Sequence, residues 1–419
     1  MRENYRGIER GIVATRTGTA PIRVLILHDY AGRRGGAEII VQDLRQRLRQ
    51  LGHDARLLTT NADPFSASEA PDYICRGNVG PLRAISEAYN PTALTRLRAA
   101  ISDFRPDVVH LFMFLTQLSP AVLALLGNLP TVFDINTFRP ICPTGTRWIP
   151  GRGICGLIAG DNCRRAGCFS ALGVLPRRVQ LNLLARHREK IDLAVAPSRT
   201  MAQILEENGW PVDAVIPYGV PDAGTVQEKS PTPLFGYAGR LVPEKGVDWL
   251  LSAFGTAFGP DSEARLVIIG DGPERGRLEA LSTRLGIAHR TSFPGHKSRS
   301  ETQRLLGPAW AQVTPSLWPE PFGLVTAEAL MRGTPAIVSD QGASREIVAD
   351  RQTGLVVPAN DVNALAAALT ALAADRDRAV AMGKAARAAA LELYSEDRWL
   401  ASYLDIYDKL LTKYGRNTA

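Results

Sequence analysis

With 419 residues, 45% of them hydrophobic and 22% charged, the chain has a globular composition and is too long for one ordinary core, so two or more domains are expected. Its 49 Lys and Arg against 42 Asp and Glu give a formal charge of +7, which favours anionic partners (phosphate esters, nucleic acid or an anionic membrane surface) without choosing among them. No run of about 18 apolar residues exists, which excludes a transmembrane helix.

Residues 1–20 alternate charged and polar positions (Arg2, Glu3, Arg6, Glu9, Arg10) and lack the apolar stretch of a secretory signal, so they read as a loose N-terminal extension. Pro21 to His28 is a continuous, β-branched-rich run expected to form a buried parallel strand. The Gly-rich turn 32–36 and a helix from Ala37 to about Leu51 follow. Gly52 stops that helix, and Ala55–Thr59 is the next strand, completing one βαβ unit. Strands are expected again at Asp107–Phe112, Thr131–Asp134 and Leu193–Ala196, with Ser198 as N-cap of the helix that follows. Such alternation predicts a doubly wound parallel sheet over 21–216. Pro and Gly crowd 217–233, the expected linker. A second α/β series occupies 234–394, with strands at Leu234–Ala238, Ala264–Ile269, Ala311–Thr314, Pro335–Val338 and Gly354–Val357, and an Ala-rich helical stretch over 362–393. An amphipathic helix carrying Trp399, Tyr403, Ile406, Tyr407 and Leu410 falls within 395–419. The fold class is therefore α/β: two Rossmann-like domains, expected to face each other across a cleft, with chemistry in the loops that follow strands.

The most informative stretch runs from Pro315 to Leu330. A Pro-rich loop carries Glu320, and a helix begins near Phe322 to Leu324. Free backbone N–H groups and the positive dipole at that end make an anion site. With Glu320 just before it and Glu328 about two turns in, the arrangement suits a sugar nucleotide: one carboxylate for sugar hydroxyls, the other for ribose, the diphosphate on the helix end. The alternative is a helix with an acidic first turn and an ordinary surface glutamate. Gly239 to Gly246 follows the first strand of the second domain. Its Arg240 and Lys245 are candidates to neutralise a leaving diphosphate without a metal, against the plainer reading of a solvated basic loop. Asp271 and Gly272 lie in another turn after a strand, where nucleotide can approach backbone. Gly35-Gly36 is a similar turn in the first domain. It is not G-x-G-x-x-G, which counts against a dehydrogenase.

Glu320 through Glu328 resembles the E-x7-E motif of retaining glycosyltransferases of family 4, which have the GT-B fold. Gly239–Gly246 resembles that family's phosphate-binding loop, and Gly35-Gly36-Ala37-Glu38 its N-terminal glycine motif. The resemblance implies retention of anomeric configuration, with the leaving phosphate helping to deprotonate the acceptor. It also implies sugar contacts from Glu320, ribose contacts from Glu328, and sugar and phosphate contacts from the backbone of Phe322, Gly323, Leu324 and Val325. No divalent cation is required, and the last helix crosses back to the first domain. Where the family typically shows a histidine that helps place the donor sugar, this chain has Asn136, which hydrogen-bonds but cannot become cationic. That departure leaves room for a sugar-nucleotide-binding partner subunit with little transferase activity. His28 and His110 also end strands; for both, a structural role outweighs a cleft-facing one.

Donors of the UDP-, GDP- or other NDP-sugar type and a glycan or lipid-linked acceptor follow from the resemblance. A bacterial-looking, Arg- and Ala-rich composition and the lack of a secretion signal point to the cytoplasm, with peripheral contact on the inner membrane face. No aromatic–basic pattern indicates nucleic acid. Cys142, Cys155, Cys163 and Cys168 fall in a Gly/Arg-rich loop with spacings of 13, 8 and 5, which match no zinc finger or ribbon. Structural zinc, disulfides or an iron–sulfur cluster, and unbound thiols are the open readings. The basic stretch from Leu175 to Lys190 is either a membrane-resting helix or one packing its leucines inward.

Overall fold

The computed structural model describes residues 20–32, 35–62, 70–80, 83–149 and 151–415, with the side chains of 171 and 172 also left out. The expected N-terminal extension therefore lies outside the described residues, save its last position. Two compact units account for the chain: one of residues 1–146, 156–216 and 399–419, the other of 147–155 and 217–398.

In the first unit, β1 (Arg23–Leu27), β2 (Asp54–Thr60), β3 (Tyr73–Cys75), β4 (Val108–Leu111) and β5 (Thr131–Asp134) share a parallel sheet with two strands after the cysteine region. Between them, β6 (Trp148–Ile149) and β7 (Gly153–Ile154) form an antiparallel hairpin that groups with the second unit, although chain order assigns it to the first domain. Then β8 (Leu193–Ala196) and β9 (Ala214–Val215) complete the order β3-β2-β1-β4-β5-β8-β9. The helices are α1 (Gly36–Gln50), α2 (Arg83–Ala88), α3 (Pro91–Phe104), α4 (Asp161–Arg165), α5 (Ala171–His187) and α6 (Arg199–Glu207). Ser198 caps α6, its hydroxyl accepting from the Met201 N–H at 3.1 Å. The strands are apolar on both faces because helices cover both, and each buried Leu, Ile or Val contributes about 1.5–3 kcal/mol.

The second unit contains β10 (Leu234–Ala238), β11 (Arg265–Ile269), β12 (Thr291–Gly295), β13 (Ala311–Thr314), β14 (Ala336–Ser339) and β15 (Gly354–Val357), all parallel, in the order β12-β11-β10-β13-β14-β15. Its helices are α7 (Val247–Ala257), α8 (Arg275–Arg284), α9 (Arg299–Leu306), α10 (Leu324–Met331), α11 (Ser344–Ile347), α12 (Val362–Ala373) and α13 (Arg376–Leu393). The Ala-rich stretch is two helices, because Asp375 caps the second by accepting from the Arg378 N–H at 2.9 Å. The Pro/Gly-rich segment 217–233 is knitted into this unit: Asp222 pairs with Arg387 at 2.7 Å, and Lys229 donates to the Gly307 carbonyl at 3.1 Å.

The last helix, α14 (Glu396–Lys413), brings Trp399 onward into the first unit. Buried Tyr403 donates to the Asp134 carboxylate at the end of β5, and Tyr407 pairs with His110 Nδ1 on β4 at 2.6 Å. Burial pushes the His110 imidazole down to about 3, so it is neutral and structural.

Candidate active site

Each sheet reverses its winding once, between β1 and β4 in the first unit and between β10 and β13 in the second. Ligands of doubly wound sheets sit at the carboxyl ends of the strands beside that reversal. In the second unit the loops in question are 239–246, after β10, and 315–323, after β13. They are tied together by backbone: the Leu317 N–H donates to the Glu244 carbonyl at 2.9 Å. Gly246 has φ +64, and a Cβ there would drive into the Pro315 carbonyl, so only glycine allows the approach.

That approach brings Lys245 and Glu320 together, 75 residues apart in sequence. Glu320 is buried, and its Oε1 accepts from the Lys245 ammonium and from the Ser316 hydroxyl. Burial by itself raises the Glu320 carboxyl, but the Lys245 charge and the hydrogen bonds outweigh it and hold the group below its ordinary range. The site therefore presents an ionised carboxylate beside a fixed cation. Lys245 also lies 5.4 Å from the centre of the Trp318 ring. On the far side, the Ala343 N–H donates to the Glu320 carbonyl at 3.0 Å.

Helix α10 starts at Leu324 with Gly323 as its left-handed N-cap (φ +95), and no side chain among the described residues caps it. Its first N–H groups are the orphan donors an anion takes. Phe322 turns its ring inward, 5.3 Å from Tyr218 and 5.9 Å from Tyr394 by ring centres, so backbone is what this residue offers a ligand. Because the helix begins at Leu324, Glu328 is only just over one turn in. It is half-buried, and its Oε1 accepts from Arg299 Nε at 2.9 Å, a partner on α9 that no sequence spacing marked. Arg240 is exposed on the 239–246 loop, with its carbonyl accepting from Tyr237 Oη at 2.9 Å. The 270–274 turn interlocks with that loop: the Leu241 N–H donates to the Asp271 carbonyl at 2.9 Å, and a Cβ on Gly272 would strike the Leu241 carbonyl. The Asp271 side chain accepts from the Gly272 N–H at 2.8 Å.

In the first unit Gly36 opens α1 after β1, while positions 33 and 34 of that turn lie outside the described residues. Asn136 follows β5, and its Nδ2 is buried without a hydrogen-bond partner among the described residues. The β1–β4 reversal is closed by Asp29, buried, which accepts from the backbone N–H groups of Thr116, Gln117 and Leu118 and from the Thr116 hydroxyl. Sequence reasoning missed Asp29, since nothing links it to residues 116–118 until the strands pair. His28 is buried, with Nδ1 engaged at the Tyr30 backbone.

The cysteines do not fit a zinc tetrahedron. Among the described residues no three His, Cys, Asp or Glu side chains gather to hold a metal, and no disulfide joins the cysteines. Backbone hydrogen bonds close the loop: the Cys142 N–H donates to the Phe138 carbonyl at 2.7 Å and the Cys168 N–H to the Cys163 carbonyl at 2.9 Å. Helix α5 shows neither sequence reading in pure form, since Leu184 is buried while Leu175 and Val179 are exposed. Among the described residues no helix is long and apolar enough to cross a membrane.

The Glycosyltransferase Family 4 model matches residues 34–223 and the Glycosyl transferases group 1 model residues 224–389. The chain belongs to the family 4 glycosyltransferases of GT-B fold, and it is a glycosyltransferase. It is 28% identical over 398 residues to a glycogen synthase of Mycobacterium tuberculosis, covering 87% of this chain and 88% of that one. Among solved structures, sucrose-phosphate synthase from Thermosynechococcus elongatus superposes with a TM-score of 0.73 at 20% identity, covering 93% of this chain and 99% of that chain. Anabaena Alr3699/HepE in complex with UDP and glucose gives a TM-score of 0.67 at 18% identity, covering 93% and 100%.

Proposed function

We propose that this protein is a retaining, metal-independent transferase that moves a sugar from a nucleoside-diphosphate donor to a glycan or lipid-linked acceptor in the cytoplasm. The observation that carries this reading is the buried Glu320 carboxylate, held ionised by Lys245 and Ser316 four residues ahead of the uncapped α10. Glu320 accepts from donor-sugar hydroxyls. Lys245, Arg240 and the N–H groups of α10 take up the charge that develops on the leaving diphosphate, in the manner of an oxyanion site. The acceptor oxygen bonds to the anomeric carbon on the face from which the diphosphate departs, the old carbon–oxygen bond to phosphate breaks, and the acceptor proton passes to a diphosphate oxygen. Glu328 serves the ribose and keeps its place through Arg299. The bound complexes of Anabaena HepE with UDP and with UDP-glucose support a uridine donor as the first to try.

A thermal-shift series with UDP-, GDP-, ADP- and dTDP-sugars, run with and without EDTA, tests the reading, since a ligand of the native state raises its apparent stability. One donor class is expected to stand out and to support transfer in EDTA. No stabilisation by any nucleotide sugar sinks the proposal. A second reading, a binding subunit with little turnover, rests on Asn136 in place of the family's histidine; stabilisation without transfer, unimproved by Asn136→His, selects it.

A further inference from the structure

Glu87, on α2, is buried in the first unit and is met by three guanidinium groups from three separate segments. Arg83 Nε on the same helix lies 3.1 Å away, Arg177 Nη2 on α5 2.8 Å, and Arg139 Nη1, five residues beyond β5, 3.8 Å. Three cations around one carboxylate make the cluster rich in positive charge in a partly desolvated place, where like charges repel strongly, even with Asp29 near Arg139 and with the Pro143 and Gly173 carbonyls accepting from Arg139 and Arg177. A brace between α2 and α5 needs one arginine, because a single guanidinium can satisfy a carboxylate in bidentate fashion.

The cluster also sits where ligands of such a sheet are found. The Gln180 amide of α5 donates to the Glu87 carbonyl at 2.9 Å and also to the Leu115 carbonyl just past β4, so α2 and α5 lie over the carboxyl ends of the strands. Desolvation, with Arg83 nearby, pushes the Arg139 guanidinium below its ordinary value, against the opposing pull of Glu87 and of Asp29 past β1. The side chains of Arg83, Arg139 and Arg177 keep 40%, 14% and 16% exposure, and Arg177 Nε has no hydrogen-bond partner among the described residues.

We propose that Arg83, Arg139 and Arg177 form a binding site for a phosphate group on the acceptor, an inference that rests on the transferase reading and names its acceptor as phosphorylated. Guanidinium forks suit phosphate oxygens, and a second anion relieves the repulsion that Glu87 leaves. The phosphate belongs either to a water-soluble sugar phosphate or to a lipid headgroup. Exposed Ile85 on α2, Tyr89 just after that helix, and Leu175 and Val179 on α5 are the apolar neighbours a lipid would use.

The test titrates glycerol phosphate into the full-length protein and into Arg83→Gln, Arg177→Gln and Arg240→Gln. Affinity is expected to fall at least about tenfold in the first two and to stay unchanged in the third. Loss only in Arg240→Gln, or no loss in Arg83→Gln and Arg177→Gln, overturns the site and leaves the arginines as a brace. Arg83 stands at the rim, so its variant carries the test should Arg177→Gln unfold. Sedimentation with phosphatidylglycerol vesicles that disappears in Arg83→Gln assigns the phosphate to a lipid headgroup. Glycerol phosphate binding without sedimentation assigns it to a soluble acceptor, and either result supports the site. Nucleotide-sugar stabilisation of the unmodified protein is read separately, and its absence there would sink the transferase reading without touching the phosphate measurement.

Discussion

The two sheets use the same reversal point differently. In the first unit the loops after β1 and β4 are joined by Asp29, whose carboxyl oxygens accept from three backbone N–H groups and one hydroxyl while burial pushes its pKa up. In the second, the loops after β10 and β13 are joined by Glu320, whose charge is absorbed by a lysine and a serine. Backbone donors cannot be withdrawn, so Asp29 fastens its loops. A lysine side chain can be shared with an incoming anion, so under the proposed function the Glu320 pair is a fastening that a donor diphosphate would loosen. The first unit gathers its cations elsewhere, around Glu87.

Lys245→Ala should separate these two roles most sharply. It leaves Glu320 buried without its cation, which typically costs about 3–5 kcal/mol of stability, and transfer should fall at least about tenfold, about 1.4 kcal/mol in the barrier. Glu320→Ala should lower transfer by at least about the same factor; normal activity in both would remove the site assignment. Next in size, Tyr403→Phe withdraws a donor from the buried Asp134 carboxylate and should lower the urea-derived stability by about 1.5–3 kcal/mol. Transfer per folded molecule should hold; a drop in turnover without a drop in stability would give the first unit's aromatic network a part in the chemistry. Acid then probes the same network. His110 stays neutral in the fold down to about 3 but takes a proton near 6.5 when unfolded, so the unfolded state binds more protons between those values. Stability is expected to decline as pH falls from 6.5 towards 3, and His110→Gln should flatten that slope in urea titrations at each pH. The smallest effect is expected of Arg299→Ala, a half-exposed pair with Glu328: at most about 1 kcal/mol in stability, with any larger change confined to donor affinity.

Most strands of both sheets were legible because runs such as Val24–Leu27 and Leu266–Ile269 are continuous and apolar, and only a strand buried on both faces reads that way. Ser198 as a cap was legible because capping is local. Strand β12 escaped, since its Thr-Ser-Phe-Pro-Gly sequence carries turn residues. The split of the Ala-rich helix at Asp375 was hidden by the Ala-rich pattern on either side. Within the site, Glu320, Lys245 and the helix end stood out as a pattern, but their geometry did not, because residues 245 and 320 meet only when two strands pair. The arginines around Glu87 come from α2, α5 and the loop beyond β5, and no spacing rule joins positions 83, 87, 139 and 177. Arg299, the partner of Glu328, was unreadable for the same reason.

The return of α14 has a consequence for how the protein is made. Asp134 and His110 wait for Tyr403 and Tyr407, 269 and 297 residues further along the chain. At ribosomal speeds of about 5–20 residues per second, that delay is on the order of tens of seconds. The first sheet thus leaves the ribosome early and is sealed last, with a carboxylate and an imidazole as its open seam. A fragment ending at residue 216 would keep that seam open for good. Any attempt to produce the first unit by itself should splice residues 399–415 back onto it.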